Sequence, residues 1–409
     1  MQKYYFFSGM ILLYILMSSI LRTSGSGAIE SSADRIALAD GIAALLIFIY
    51  FSFYGIKKNI YINKYYITLL PLFFIFLLSA IFAFSPQRSV VEIIAILLGV
   101  LLSISIMNIL KDFPDSILKS FFNSYVFLLG CLSLVFILDF LFFNVFSRNI
   151  GGLTGTFRNT GQAGSFLGVH LAIILSLLLS KIISFNSRNI LFTLIIFSAL
   201  ILTFKRAAIL GFLIGYGLLY FKLFFSKSYL NKKLFLYSSL IVGIFFPIFY
   251  ILFLWAKENV EGLSWRAESK FSQDSVEDFK TGFLSENILA LKDAFNESPL
   301  VGIGLGNVEL TDFGFEIHSS YMSIIATSGL LGAIFYFISM FFILYSIFNT
   351  QYLHKSQYRD FFYYFLPLFI GLMVSWSYTN HLRKREYWFM LSIVFVVIYF
   401  AKRINSSKN

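Results

Sequence analysis

The chain carries little charge for its length. Only 13% of its 409 residues are charged, 58% are hydrophobic, and the mean hydropathy is +0.80. Soluble domains carry about 25% charged residues. The composition therefore excludes an ordinary soluble enzyme and indicates a polytopic membrane protein, whose length does not predict a number of soluble domains.

Cysteine is almost absent, and histidine is rare and scattered. The single cysteine, Cys131, lies in an apolar run, so no disulfide can form within the chain. No His/Cys cluster has the spacing of a metal site. We therefore expect neither metal nor cofactor, and we interpret Cys131 as a small buried or lipid-facing residue.

The net charge of +11 is unevenly distributed along the chain. Residues 256–317 contain five Lys/Arg and twelve Asp/Glu, whereas the rest contains 27 basic and 9 acidic residues. Most basic residues lie in short loops between apolar runs. This pattern is typical of membrane topology and argues against nucleic acid as a partner.

Long apolar runs predict an all-α fold with about twelve transmembrane helices, since a bilayer core needs roughly 20 helical residues. The runs cover about 4–21, 36–55, 67–84, 90–110, 121–145, 161–180, 189–204, 207–226, 234–255, 320–348, 361–378 and 388–402. The first run is long for a signal peptide and is not followed at once by a cleavage site, so we expect a retained helix. The chain then divides into helices 1–9 (1–255), one large loop (256–317), and helices 10–12 with a tail (318–409).

The positive-inside rule places both termini in the cytoplasm and the acidic loop outside. Two basic turns on the outer side contradict this rule: Lys205–Arg206, and the run Arg383, Lys384 and Arg385. Such cations either bind an anionic group or extend to the membrane surface. We favour binding for Arg206 and surface extension for the run 383–385.

The large outer loop contains a helical pattern followed by a glycine-rich motif. Ile288, Leu291 and Phe295 recur at helical spacing. The motif GIGLG at 302–306 lacks the flanking strand and helix of a dinucleotide site. We expect short amphipathic helices and a tight turn at the membrane surface.

Two further polar features on the outer side are candidate binding groups. The loop 146–161 combines glycines with Arg158 and many hydroxyl and amide groups. It either binds a polyanionic or sugar ligand or only connects two helices. His318 lies where the acidic loop meets an apolar run, and a neutral imidazole is suited to accept a hydroxyl proton. The other three histidines are weaker candidates.

Carboxylates are rare in the predicted spans. Glu92 and Asp139 each stand alone in an apolar run. Each either pairs with an arginine or marks a proton path. Asp40 begins a predicted helix, where we expect a cap or a surface residue.

Three stretches, in this order, carry a resemblance to a known family: LTFKRAAILGFLIGYGLL, NESPLVGIGLGNVEL and HSSYMSIIATSGLLGAIFYF. They resemble the Ser-Arg-Ala/Gly turn, the Asn-Pro-Leu-x-Gly-x-Gly element, and the histidine segment with its following helix of the O-antigen ligase and polymerase superfamily. That superfamily comprises bacterial envelope glycan enzymes. The resemblance covers roughly residues 150–345.

This resemblance implies a membrane glycosyltransferase with a GT-C-like fold in the bacterial inner membrane, acting on the periplasmic or outer face. The donor would be a glycan on undecaprenyl diphosphate. The acceptor would be a sugar hydroxyl of lipid A–core or of another lipid-linked glycan. Arg206 takes the place of the family's turn arginine, and His318 that of its catalytic histidine.

Other residues are expected to bind substrate, partly from this resemblance and partly because fixed cations stabilise a diphosphate leaving group. Lys205 stands where the family has serine, and Arg158 is expected to contact diphosphate. The family's arginine before the Pro-Leu-x-Gly element is missing, so Arg266 is expected to replace it. Ser319 stands where asparagine is common. Tyr321 either orients His318, stacks on a sugar, or only anchors its helix at the interface.

Several alternatives stay open at this point. The same donor and base serve a ligase and a polymerase, which differ only in the acceptor. A transporter or flippase of lipid-linked saccharides is the main alternative to an enzyme, and a non-catalytic membrane scaffold is a further one. Membrane lipids are partners in each case.

Overall fold

The computed structural model describes residues 1–19, 38–54, 60–143, 145, 152–157, 159–226, 284–312, 314 and 316–406, with nine single residues between 232 and 258. Within these residues all regular secondary structure is helical, with no strand. The helices are α1 (Gln2–Ser18), α2 (Leu38–Ile49), α3 (Lys64–Ile81), α4 (Pro86–Lys111), α5 (Asp115–Leu138), α6 (Thr160–Leu179), α7 (Ser187–Leu202), α8 (Arg206–Phe224), α9 (Ser285–Glu297), α10 (Ser320–Thr350), α11 (Gln357–Ser375) and α12 (Arg385–Ser406).

Eight of the described helices are long and apolar enough to cross a membrane: α3, α4, α5, α6, α8, α10, α11 and α12. Helices α2 and α7 are apolar but shorter. Large apolar side chains such as Phe74 and Phe341 are exposed on the bundle, as lipid-facing positions require. The predicted all-helical class is confirmed and fits a polytopic membrane protein. The predicted span 234–255 lies outside the described residues apart from single positions.

The first turns of several helices meet at one end of the bundle. The start of α10 is hydrogen-bonded to the loop before α12: Ser320 Oγ donates to the carbonyl of Thr379 at 2.6 Å. The start of α8 lies against α6, where a Cβ placed on Gly161 would be 3.6 Å from Lys205 Nζ. Ion pairs described below join the start of α12 to α2 and α4. We call this end the site end.

Helices α8 and α11 pack with their backbones in contact. A Cβ placed on Gly211 would lie 2.6 Å from the carbonyl oxygen of Gly371, and one on Gly215 would lie 2.9 Å from Cα of Leu368. Small residues allow such close approach between membrane helices. The contact brings the first turns of α8 next to the loop that follows α11.

Helix α10 is broken at Gly329, whose φ of 64° and ψ of −168° are not helical. A break leaves backbone N–H and C=O groups without hydrogen-bond partners in the helix, and inside a membrane protein these groups need other partners. Segment 299–304 supplies them. Its N–H groups donate to the carbonyls of Ala326 and Thr327 at 3.1 and 3.0 Å, and its carbonyls accept from the N–H groups of 330–331 at 2.9 and 3.2 Å.

The glycines at 302, 304 and 306 form the expected tight turn, with φ values of 74°, 87° and 74°. Buried Asn307 seats this turn on the start of α4. Its Oδ1 accepts from the N–H of Ser85 at 2.6 Å, and its Nδ2 donates to Ser89 Oγ at 2.8 Å. The segment 299–307 is thereby fixed to both α4 and the broken helix α10.

Helix α9 confirms the helical pattern expected within the segment 256–317. It packs on the protein through small residues, since Ala290 and Ala294 are fully buried. Of the predicted stripe, Leu291 packs against this buried cluster and Phe295 is half-buried, whereas Ile288 is 48% exposed, as is its neighbour Leu289. The exposed side chains of Ile288 and Leu289 suit a helix that lies on the membrane surface.

Candidate functional site

His318 lies at the site end, two residues before α10 begins. Its side chain is exposed. Its backbone N–H donates to Oδ1 of buried Asn287 in α9 at 2.9 Å, and Ser319 caps α10 by accepting from the N–H of Met322. The helix cap and α9 therefore fix the backbone that carries the imidazole while leaving the ring accessible.

Lys205 and Arg206 lie at the same end, where a strained turn opens α8. Phe204 has a φ of 50°, and the N–H of Lys205 donates to Oγ1 of Thr203 at 3.2 Å. Arg206 is the first residue of α8 and is exposed. Lys205 lies over the first turn of α6 at Gly161. The N-termini of α6 and α8 add partial positive charge to these two cations.

Three consecutive cations, Arg383, Lys384 and Arg385, stand where the loop before α12 meets the helix, and the two arginines form ion pairs. Arg383 Nε lies 2.9 Å from Oε2 of buried Glu92, an ion pair whose alignment falls short of a hydrogen bond. Arg385 makes a two-pronged contact with Asp40, at 2.8 and 2.6 Å. The carboxylates of Glu92 and Asp40 therefore balance the charges of these two partly buried arginines.

Removing one partner of the Glu92–Arg383 pair is expected to destabilise the protein, because the other charge loses its 2.9 Å contact in a partly buried place. The Glu92 side chain is 7% exposed and that of Arg383 is 28% exposed. Arg383→Met should therefore cost about 3 kcal/mol, and Glu92→Gln less. The double variant should recover much of the loss. Thermal unfolding in detergent measures this, and equal losses in the double and the Arg383→Met variant would contradict it.

Lys384, between the two paired arginines, has a different environment. Its Nζ donates to Oγ1 of Thr379 at 2.7 Å. Burial lowers the pKa of Lys384 to about 8; the Glu386 carboxylate opposes this shift, and the charge of Lys205 adds to it. Lys384 and Lys205 therefore lie close enough to repel each other. An anion placed between two such cations is stabilised by both.

His381 joins the start of α10 to the loop before α12. Its Nδ1 lies 2.8 Å from Oγ of Ser320, its backbone N–H donates to the same oxygen at 3.0 Å, and its ring stacks on Trp376 at 4.1 Å. Burial and the Lys384 charge hold the pKa of His381 well below its ordinary value. A neutral, buried His381 fixes the helix start next to His318 and was only a weak candidate from the sequence.

Tyr321 lies beside this cluster and connects two helices. Its hydroxyl donates to the backbone carbonyl of Met373 in α11 at 2.8 Å, and its ring stacks on Phe337. Of the roles expected for Tyr321, these contacts favour a helix anchor.

The remaining sequence expectations have different outcomes. Glu92 pairs with an arginine, one of its two expected roles, whereas Asp40 forms an ion pair although we expected a cap or surface residue. Asp139 is buried, and its Oδ1 accepts from the N–H of Val145 at 2.9 Å. Arg158 and Arg266 lie outside the described residues.

Among the described residues, no three His, Cys, Asp or Glu side chains are grouped so as to hold a metal ion. A comparison of the whole chain with protein-family models found no match, and neither did a comparison with curated proteins. The interpretation of the site therefore rests on its geometry and chemistry.

Proposed function

We propose that the protein is a membrane glycosyltransferase of GT-C-like fold, which moves a glycan from undecaprenyl diphosphate to a sugar hydroxyl. The observation that carries this proposal is the convergence at one end of an exposed histidine, His318, with the cations Lys205, Arg206 and Lys384. A proton acceptor and an anion-binding cluster are the two functions that this transfer needs.

The reaction begins when His318 accepts the proton of the acceptor hydroxyl. The acceptor oxygen forms a bond to the anomeric carbon of the donor glycan, and the bond between that carbon and the diphosphate oxygen breaks. Undecaprenyl diphosphate leaves with the bonding electron pair. Because its negative charge grows in the transition state, fixed cations at the leaving oxygen lower the barrier.

The three cations are suited to bind the diphosphate without a metal. Arg206 offers a planar fork of donors to phosphate oxygens, whereas Lys205 and Lys384 act as point charges. Their placement at the end of the bundle supports contact with a lipid-linked diphosphate, because lipid head groups lie at the membrane surface. The acceptor is either lipid A–core, for a ligase, or a lipid-linked glycan, for a polymerase.

Removing a cation of this cluster is expected to leave lipid-linked donor unprocessed. Arg206→Ala and Lys384→Ala should each lower kcat/KM about 10- to 100-fold, because the other two cations retain part of the stabilisation. Arg403→Ala removes an exposed cation from the last turn of α12, at the other end of the bundle, and serves as the matched control. Full transfer in either site variant would refute the assignment of that cation.

The pH dependence of donor binding provides a second readout for Lys384. Lys384 faces Lys205, Glu386 and the Thr379 hydroxyl, and its pKa is lowered to about 8. It is therefore charged below that pH and neutral above it, so donor affinity should fall as pH rises through about 8. Lys384→Arg keeps the charge and should remove this step; a step that persists in Lys384→Arg would exclude Lys384 as its source.

A further inference from the structure

A polar groove lies at the end of the bundle opposite the site end. Its cavity volume is about 640 Å³, and it is formed by α5 and the segment that leads into α7. The groove lies far from the site, because α5 and α11 both begin at this end of the bundle. Their first turns are joined there by the Tyr358 hydroxyl, which donates to Asp115. The volume is in the range of ligand pockets, which is about 300–1,000 Å³.

The wall of the groove is unusual for a membrane helix. Ser116, Ser120 and Ser124 repeat at every fourth residue of α5 and are exposed. Among the described residues, their hydroxyls have no hydrogen-bond partner. With a rise of 1.5 Å per residue, they form a track about 12 Å long from the helix start toward the membrane interior.

Two cations flank this serine track. Arg188 is exposed and also has no partner among the described residues. Lys119 Nζ lies 2.9 Å from Asp115 Oδ2, so its charge is partly balanced. The next turn of α5 ends the track with Phe127, which is 51% exposed. The groove thus combines cations and hydroxyl groups near the helix start with an apolar side chain, Phe127, further along α5.

This order of groups matches the parts of a phospholipid. We propose that the groove binds an anionic phospholipid of the leaflet at that end, which the positive-inside rule assigns to the cytoplasm. Arg188 and Lys119 bind the phosphate, the serine hydroxyls donate to phosphate and glycerol-ester oxygens, and an acyl chain lies over Phe127. A free phosphate would use only the cationic end of the groove.

Native mass spectrometry of the full-length protein with phosphatidylglycerol or phosphatidylcholine tests this proposal. The unmodified protein should retain one phosphatidylglycerol in preference to phosphatidylcholine. Arg188→Gln should weaken phosphatidylglycerol binding about fivefold, the typical contribution of one basic residue near an anionic lipid. Ser120→Leu should block the track and abolish retention. Lys402→Gln removes an exposed cation of α12 outside the groove and should leave binding unchanged.

Three outcomes would overturn the lipid site. One is equal retention of the two lipids by the unmodified protein. The second is unchanged phosphatidylglycerol binding in both Arg188→Gln and Ser120→Leu. The third is complete displacement of the lipid by inorganic phosphate, which would assign the groove to a free anion. None of these outcomes bears on the proposed glycosyl transfer, because the two sites lie at opposite ends of the bundle.

Discussion

His318→Ala is expected to lower glycan transfer by about 100- to 10,000-fold, the usual contribution of a general base. The imidazole is exposed, and the hydrogen bond to Asn287 uses the backbone N–H, which alanine keeps. The variant should therefore fold and reach the membrane normally. A glycan gel of cells carrying it should show unprocessed lipid-linked donor, and the purified variant should still bind that donor.

His354→Ala is the matched control for this variant. His354 is also exposed, and its backbone N–H donates to Oδ1 of Asn405 in the last turn of α12. Its removal should leave transfer unchanged. Retention of full transfer by His318→Ala would eliminate His318 as the base, and equal loss in both variants would show that histidine removal acts indirectly.

Gly329→Ala is expected to prevent formation of the folded protein. The φ of 64° with ψ of −168° belongs to a region that is essentially restricted to glycine. A Cβ there would lie 2.3 Å from the carbonyl carbon and oxygen of Leu300, which are backbone atoms held by the segment 299–304. Backbone strain and steric overlap together should cost roughly 3 kcal/mol or more.

Gly217→Ala provides the control for Gly329→Ala, because no atom lies within 4 Å of its added Cβ. Gly217 is inside helix α8, where alanine is the better helix former. Size-exclusion chromatography and thermal unfolding should show a normal Gly217→Ala protein and little folded Gly329→Ala protein. A Gly329→Ala variant as stable as the unmodified chain would mean that α10 is not broken as described.

The helices could be predicted because their signal is local. Eight of the described helices are long and apolar enough to cross a bilayer, and each coincides with an apolar run of the sequence. The motif GIGLG predicted a turn because glycine alone favours positive φ. The sequence also placed His318 and Arg206 at helix starts, which the structure confirms.

The pairings across the bundle could not be predicted, since they depend on which helix starts lie side by side. Nothing local distinguishes Lys384 from Arg383 and Arg385, yet only the arginines meet the carboxylates Glu92 and Asp40. His381 likewise looks like any loop histidine until its contact with the first residue of α10 is known. For the run 383–385 we favoured extension to the membrane surface, whereas its two arginines are held in ion pairs.

The central claim, transfer of a glycan from a lipid diphosphate, is tested most directly with the purified full-length protein in liposomes. Donor on undecaprenyl diphosphate and a sugar acceptor are supplied together with a metal chelator. We predict release of one undecaprenyl diphosphate for each glycan joined to the acceptor, and none with His318→Ala. Movement of intact donor across the bilayer, with its glycosidic bond unbroken, would instead contradict the claim and identify a transporter.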